Sequence, residues 1–150
     1  SGMPLLILRL SALYGVGDTH GAYGPNRFIR SIMTEGVVRL FGGGEERRDH
    51  LHVNDAARLI RDLIRQGATG TFNLATGVSW SFAEVVETLR RIAAMPFEAI
   101  SLPRKVPIGH RHLDVARLSR QIHGFRFTSL PEGLERYYQA CARREQLAVR

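Results

Sequence analysis

Two short runs limit what this chain can fold into. LLILRL (Leu5 to Leu10), apolar throughout except for Arg9, and TFNLATG (Thr71 to Gly77) are strand-sized and bounded by turn residues, as buried strands of a parallel sheet are. Segments of helical period alternate with them. RFIRSIMTEG (Arg27 to Gly36) places Phe28, Ile29, Ile32 and Met33 on one side and closes on Gly36, after a loop from Thr19 to Asn26. DAARLIRDLIRQG is a second amphipathic helix, opened by Asn54-Asp55 and stopped by Gly67. Val37 to Phe41 and Asp49 to Val53 read as strands joined by the turn Gly42-Gly43-Gly44 into a hairpin. Ser81-Phe82-Ala83-Glu84 has capping-box spacing, FEAISL (Phe97 to Leu102) is strand-like, and Asp114 opens a short helix ending near Gly124. Ser129-Leu130-Pro131-Glu132 then starts a final helix to about Glu145. Strand, helix, hairpin, helix, strand, helix predicts a layered α/β protein.

At 150 residues there is room for one domain with a real core. A single cysteine, Cys141, leaves no internal disulfide and fits a reducing, cytoplasmic setting. The most apolar run is strand-sized and carries Arg9, so no membrane span is expected. Net charge is +7, from 21 Lys and Arg against 14 Asp and Glu, which suits polyanionic partners. The arginines are scattered and mixed with acids rather than gathered into a stripe with aromatics, which argues against nucleic acid and reads as a solvated surface.

The densest chemistry is in LFGGGEERRDHLHVND, residues 40 to 55. Its glycines permit a tight reversal and close approach of backbone to a ligand, and a following arginine can hold phosphate oxygens bidentately. Asp49, next to Arg48, is expected to orient that guanidinium.

The order of blocks sharpens this. Arg9-Leu10-Ser11-Ala12-Leu13-Tyr14-Gly15, then LFGGGEERRDHLHVND, TFNLATG with SFAEV behind it, LDVARL and SLPEGL together resemble the C-terminal half of the extended short-chain dehydrogenase/reductases, the NAD-dependent sugar epimerase/dehydratase family. That family writes R-x-x-N-x-Y-G, a glycine turn leading to R-D-x-x-x-V-x-D, Y-N-I-G-x-G before S-x-x-E, D-x-S-K-L, and S-L-E-E-G-L. The resemblance implies the last strands of a Rossmann-type parallel sheet, about residues 4–10 and 71–76, plus a small mixed α/β substrate-binding domain. It implies that Arg48 binds the diphosphate of a nucleotide-sugar and that Arg39, Leu40 and Phe41 pack along the nucleotide base. Tyr23 falls in the loop over the substrate, Arg104 at a retained substrate arginine, and Ser11 and Leu13 where the strand end passes the nicotinamide of NAD or NADP.

Two positions depart from the family pattern. Its Asn in R-x-x-N is Ala12 here, and the acid of R-P-G-D is replaced in Arg104-Lys105-Val106-Pro107. Both leave room for a reductase or dehydrogenase acting on a non-nucleotide substrate. The dinucleotide-binding glycine turn and a Tyr-x-x-x-Lys pair do not occur in these residues, so no catalytic residue is assigned. The expectation is a substrate-binding half, residues 1–150, inactive and without tight NAD binding on its own. The His50/His52 and His110/His112 pairs have a spacing seen in some metal sites, but His50 and His52 lie inside the R-D block as packing residues, and no metal is expected. A basic nucleic-acid-binding module using Arg47, Arg48, Arg104 and Lys105 is a further alternative. Lastly, Leu5 to Leu10 is expected to be a bare sheet edge with neither face covered, through which the chain self-associates into a homo-oligomer.

Overall fold

The computed structural model describes residues 2–17 and 24–148. Along the chain run β1 (Leu6–Leu10), β2 (Ala12–Tyr14), α1 (Gly24–Glu35), β3 (Val37–Phe41), β4 (Arg47–His52), α2 (Val53–Arg65) and β5 (Gly70–Leu74). After them come β6 (Ser79–Ser81), α3 (Phe82–Ile92), β7 (Glu98–Leu102), α4 (Ala116–Gln121) and α5 (Leu130–Ala148). The class is mixed α/β with parallel pairing dominant.

The two apolar runs that set the fold class are neighbours. β1 and β5 pair in parallel from Leu6 opposite Gly70 to Leu10 opposite Leu74, and the amide of Ser11 extends the ladder to the Leu74 carbonyl at 3.0 Å. β1 is not a buried strand, however. Among the described residues it pairs on one side only, and its side chains alternate: Leu6 and Leu8 pack against the core while Ile7, 44% exposed, and Arg9 face outward. One face is thus covered, where both were expected bare.

The hairpin expected around the triple glycine does not form. β3 pairs in parallel with β7, from Val37 opposite Glu98 to Phe41 opposite Leu102, while β4 pairs in parallel with β2 and antiparallel with β6. The glycine turn therefore carries the chain between two separate sheets. Its anchor is Gly44, whose carbonyl accepts the Ala83 amide at 3.0 Å. At φ +76°, a Cβ on Gly44 would stand 2.9 Å from the Ala83 nitrogen and 3.1 Å from Leu40 Cδ1, so the turn docks on the start of α3 only without a side chain.

Helix starts follow local chemistry. Ser81 and Glu84 form the full capping box of α3, and the Ser129 hydroxyl accepts the Glu132 amide at 3.4 Å at the start of α5. α1 begins at Gly24, inside the segment read as loop, because Pro25 is suited to a first helical turn. α2 begins at Val53 rather than at Asn54-Asp55. His52 is its N-cap, with Nδ1 accepting the Asn54 amide at 3.3 Å, which frees Asp55 to turn inward. The short helix α4 starts one residue later than Asp114 would set it: Val115 is its N-cap and makes no side-chain capping bond, while Asp114, just ahead, accepts the Ala116 amide at 2.8 Å.

Two apolar clusters result. One gathers Tyr14, Phe28, Ile29, Ile32, Val38, Val85, Leu89 and Leu134 between α1, α3 and α5; the other gathers Leu51, Leu59, Leu63, Phe72, Leu74 and Leu118 around α2 and β5. β4 lies between them, sending Leu51 to the second cluster and His50 and His52 against Tyr14 of the first. Among the described residues no helix is long and apolar enough to cross a membrane.

Candidate functional site

β4 carries the candidate site, and strand alternation sorts its side chains. On one face Arg48 stands with its guanidinium carbon 6.0 Å from the Phe82 ring centre, and His50 lies 6.1 Å from the same ring. On the other face Asp49 is buried. Its carboxylate accepts the Thr76 amide at 2.9 Å, the Gly77 amide at 2.7 Å and the Ser11 hydroxyl at 3.4 Å. Asp49 therefore does not orient Arg48; adjacent strand residues point apart, and this acid instead fixes the β5–β6 loop against β2.

Arg48 is half-buried and held by oxygen rather than by carboxylate. Its Nη1 donates to the carbonyl of Arg47 at 2.9 Å and to the carbonyl of Gly109. Arg47, on the opposite face, is tied to the Ser79 carbonyl at 2.8 Å and ion-paired with Glu84 at 3.0 Å. Glu84 also receives the Ser81 amide, and that backbone bond, ahead of Arg47, holds its carboxyl below the usual range.

Residues 109–112 form a strap across the start of β4. The Arg111 amide donates to the Arg47 carbonyl at 3.1 Å, and the Arg47 amide donates to His110 Nδ1 at 3.2 Å. His112 Nδ1 lies 2.8 Å from Ser79 Oγ, and that hydroxyl also reaches the Arg111 carbonyl at 3.4 Å. The histidines read as a spaced pair in sequence are thus pegs fastening the strap to β4 and β6. Nothing in the sequence pattern announced the strap, since it pairs with β6 more than thirty positions away and with β4 more than sixty positions away.

The other expected site residues separate into two groups. Arg39 and Phe41 share the exposed face of β3, with Arg39 ion-paired to Glu35, whereas Leu40 turns inward to the first cluster. Arg104 sits behind this segment. Its guanidinium donates to Glu45, Glu46 and the Phe41 carbonyl, so it braces the glycine turn. Near β2, Ser11 gives its hydroxyl to Asp49, and Leu13 is 38% exposed. Tyr23 lies outside the described residues. His50 is buried, as a packing residue would be, and both its ring nitrogens lack a hydrogen-bond partner among the described residues. Burial, followed by Arg48, lowers its pKa to about 4.

Residues 1–75 match the model of the NAD dependent epimerase/dehydratase family. The chain belongs to that family. The epimerase/dehydratase chain is 36% identical over 124 residues to a UDP-glucose 4-epimerase of Halalkalibacterium halodurans, covering 69% of this chain and 37% of that protein. It is 29% identical over 142 residues to a dTDP-4-dehydro-6-deoxy-D-allose reductase of Streptomyces bikiniensis, covering 89% of this chain and 42% of that protein. Its fold matches a UDP-glucuronic acid 4-epimerase from Bacillus cereus solved with UDP-glucuronic acid and NAD, at a TM-score of 0.80, 20% identity, and 94% and 46% coverage. It also matches RMD from Pseudomonas aeruginosa complexed with NADPH, at 0.83, 19%, and 95% and 50%. The epimerase/dehydratase chain spans half or less of the length of each of these proteins.

Proposed function

We propose that this chain is the substrate-binding half of an NAD-dependent nucleotide-sugar epimerase or dehydratase, and that Arg48 binds the diphosphate of the substrate. One observation carries the reading. Arg48 is half-buried on a family motif and, among the described residues, no carboxylate neutralises it and the Nε–Nη2 edge of its guanidinium makes no hydrogen bond. A cation in that setting favours an anion arriving from outside. The exposed face of Arg39 and Phe41 is the surface for the nucleotide base, with Leu40 supporting it from the core side; Tyr23 stays a substrate-loop candidate on the family resemblance alone. Arg104 contributes to substrate binding by fixing the turn beneath that surface.

Toward a nicotinamide cofactor, NAD or NADP, the chain offers Ser11 and Leu13. The Ser11 hydroxyl is already given to Asp49 and Leu13 is apolar, so these residues fit the flank of a nicotinamide ring and not a pyrophosphate. When bound, the cofactor supplies hydride transfer. In isolation, residues 1–150 are expected to be inactive and to bind NAD no tighter than weakly, with self-association through the Leu5–Leu10 edge.

Arg48→Ala tests the central assignment. Calorimetric titration with UDP should show binding weaker by roughly 1.5 to 3 kcal/mol, the range for a charge-assisted hydrogen bond. Unchanged affinity sinks the assignment. A second reading, reduction or dehydrogenation of a substrate without a nucleotide, is favoured by Ala12, which stands opposite His50 and supplies no polar anchor there. Absence of any UDP binding by the unaltered protein would favour it.

A further inference from the structure

The two histidines that fasten the strap to β4 and β6 have opposite requirements for a proton. His110 Nδ1 receives the Arg47 amide at 3.2 Å, so that nitrogen must keep its lone pair. His112 Nδ1 lies 2.8 Å from Ser79 Oγ, and the one hydrogen of that hydroxyl is directed to the Arg111 carbonyl at 3.4 Å, so His112 is the donor of its pair. Proton uptake therefore sets two N–H groups against each other at His110 and leaves the His112 bond intact. Histidine is the side chain whose charge ordinarily changes between about pH 5 and 8, and both residues are exposed to solvent.

His110 controls a neighbour of Arg48. The carbonyl of Gly109, the residue before it, is one of the two acceptors of Arg48 Nη1, the other being the Arg47 carbonyl. While His110 is fastened to the Arg47 amide, that carbonyl is held against β4 and the guanidinium has a fixed direction. Among the described residues, the charged or titratable groups around His110 are Arg47 and Arg48 of β4, Arg111 and His112 of the strap, Glu84 of α3, and Glu45 and Glu46 of the glycine turn. The His112 ring centre is 6.2 Å from that of His110. Glu84 is paired with Arg47, and Glu45 and Glu46 with Arg104, so each of these carboxylates already has its cation. We propose that the pair is a pH-dependent latch: on acidification the His110 end opens while the His112 end stays closed, the Gly109 carbonyl leaves Arg48, and Arg48 is oriented for its ligand only while His110 is neutral. His110 is thus a positioning residue. The inference rests on the reading of Arg48 given above and adds its regulation.

Two measurements test it, each made at about pH 7.5 and about pH 5.5, on either side of the ordinary histidine value. Amide hydrogen exchange at Arg47 reads the latch without ligand. Protection, the ratio of intrinsic to observed exchange rate, should fall severalfold at the acid pH in the unaltered chain. It should hold in His110→Asn, whose Oδ1 reaches where Nδ1 does, accepts the amide and takes up no proton. Calorimetric titration with UDP-glucose reads the consequence, since its two esterified phosphates carry the same charge at both pH values. Binding should be roughly three- to tenfold weaker at the acid pH in the unaltered chain, the net worth of one hydrogen bond, and equal at both in His110→Asn. His112→Asn should keep the pH dependence, and His110→Ala should bind weakly at both. Arg47 protection that does not fall, or that falls equally in His110→Asn, overturns the latch. Protection that falls with no change in UDP-glucose affinity overturns the control of Arg48, and weaker binding by Arg48→Ala at the higher pH then leaves the reading of Arg48 standing alone. If Arg48→Ala binds as well as the unaltered chain, or the unaltered chain binds no UDP-glucose, the reading of Arg48 fails and this inference with it.

Discussion

The hydroxyl of Tyr14 lies 2.0 Å from where a Cβ on Gly133 would stand, so the end of β2 and the first turns of α5 meet without room for a methyl group. Glycine inside a helix ordinarily costs about 1 kcal/mol relative to alanine. Here the contact reverses the sign, because Tyr14 is 1% exposed and its ring cannot swing aside. Gly133→Ala should destabilise the protein by about 1 to 3 kcal/mol in urea unfolding. The Tyr14 hydroxyl has no hydrogen-bond partner among the described residues, and burial raises its pKa. Tyr14→Phe should therefore be neutral or stabilising and should relieve part of the Gly133→Ala loss. A Gly133→Ala protein as stable as the original would show that the two elements separate freely.

Acid sensitivity should trace to His50. Its pKa is lowered from 6.5 to about 4, first by burial and then by Arg48. Above pH 6.5 neither the folded nor the unfolded form carries a proton there, and the site is neutral to stability. As pH falls from 6.5 toward 4 the unfolded chain takes up the proton first, so folding stability is lost across that window, by up to about 3 kcal/mol. Melting temperatures measured from pH 7 to pH 4 should fall less steeply in His50→Phe than in the unaltered protein. Parallel curves would rule His50 out as the source.

Asp55 holds the approach to α5. It is 1% exposed, accepts the Thr128 amide at 2.6 Å and the Thr128 hydroxyl at 3.2 Å, and faces Arg58 at 3.4 Å. Asp55→Ala should cost about 3 kcal/mol, since hydrogen bonds to a charged acceptor are lost and the Thr128 amide is left without its partner. Amide hydrogen exchange at Thr128 should accelerate in this variant. Unaltered protection would mean that the segment is held by other contacts.

The β1 edge should drive self-association. Leu5 is 64% exposed and Ile7 44%, beside a strand that pairs on one side only among the described residues. Ile7→Lys puts a charge on the outward face, where it opposes edge pairing and removes little core contact. Light scattering should show a concentration-dependent oligomer for the unaltered chain and a shift toward monomer for Ile7→Lys, with unfolding free energy changed by less than about 0.5 kcal/mol. A monomer at high concentration in the unaltered chain would contradict the expectation.

The sequence by itself determined whatever depends on neighbours along the chain. The α/β class, the strands at Leu6–Leu10, Val37–Phe41 and Glu98–Leu102, and the capping box of Ser81 and Glu84 were all legible, because periodicity and capping act within a few residues. Only the tertiary structure decided which partner each group takes. It sent the glycine turn between two sheets instead of into a hairpin, since β3 found β7 and β4 found β2 and β6. It gave Asp49 to the amides of Thr76 and Gly77 rather than to Arg48, because the strand pleat points adjacent residues apart. It also brought Gly109 and Arg111 to β4 across more than sixty residues, a hydrogen-bonding choice that no local pattern encodes.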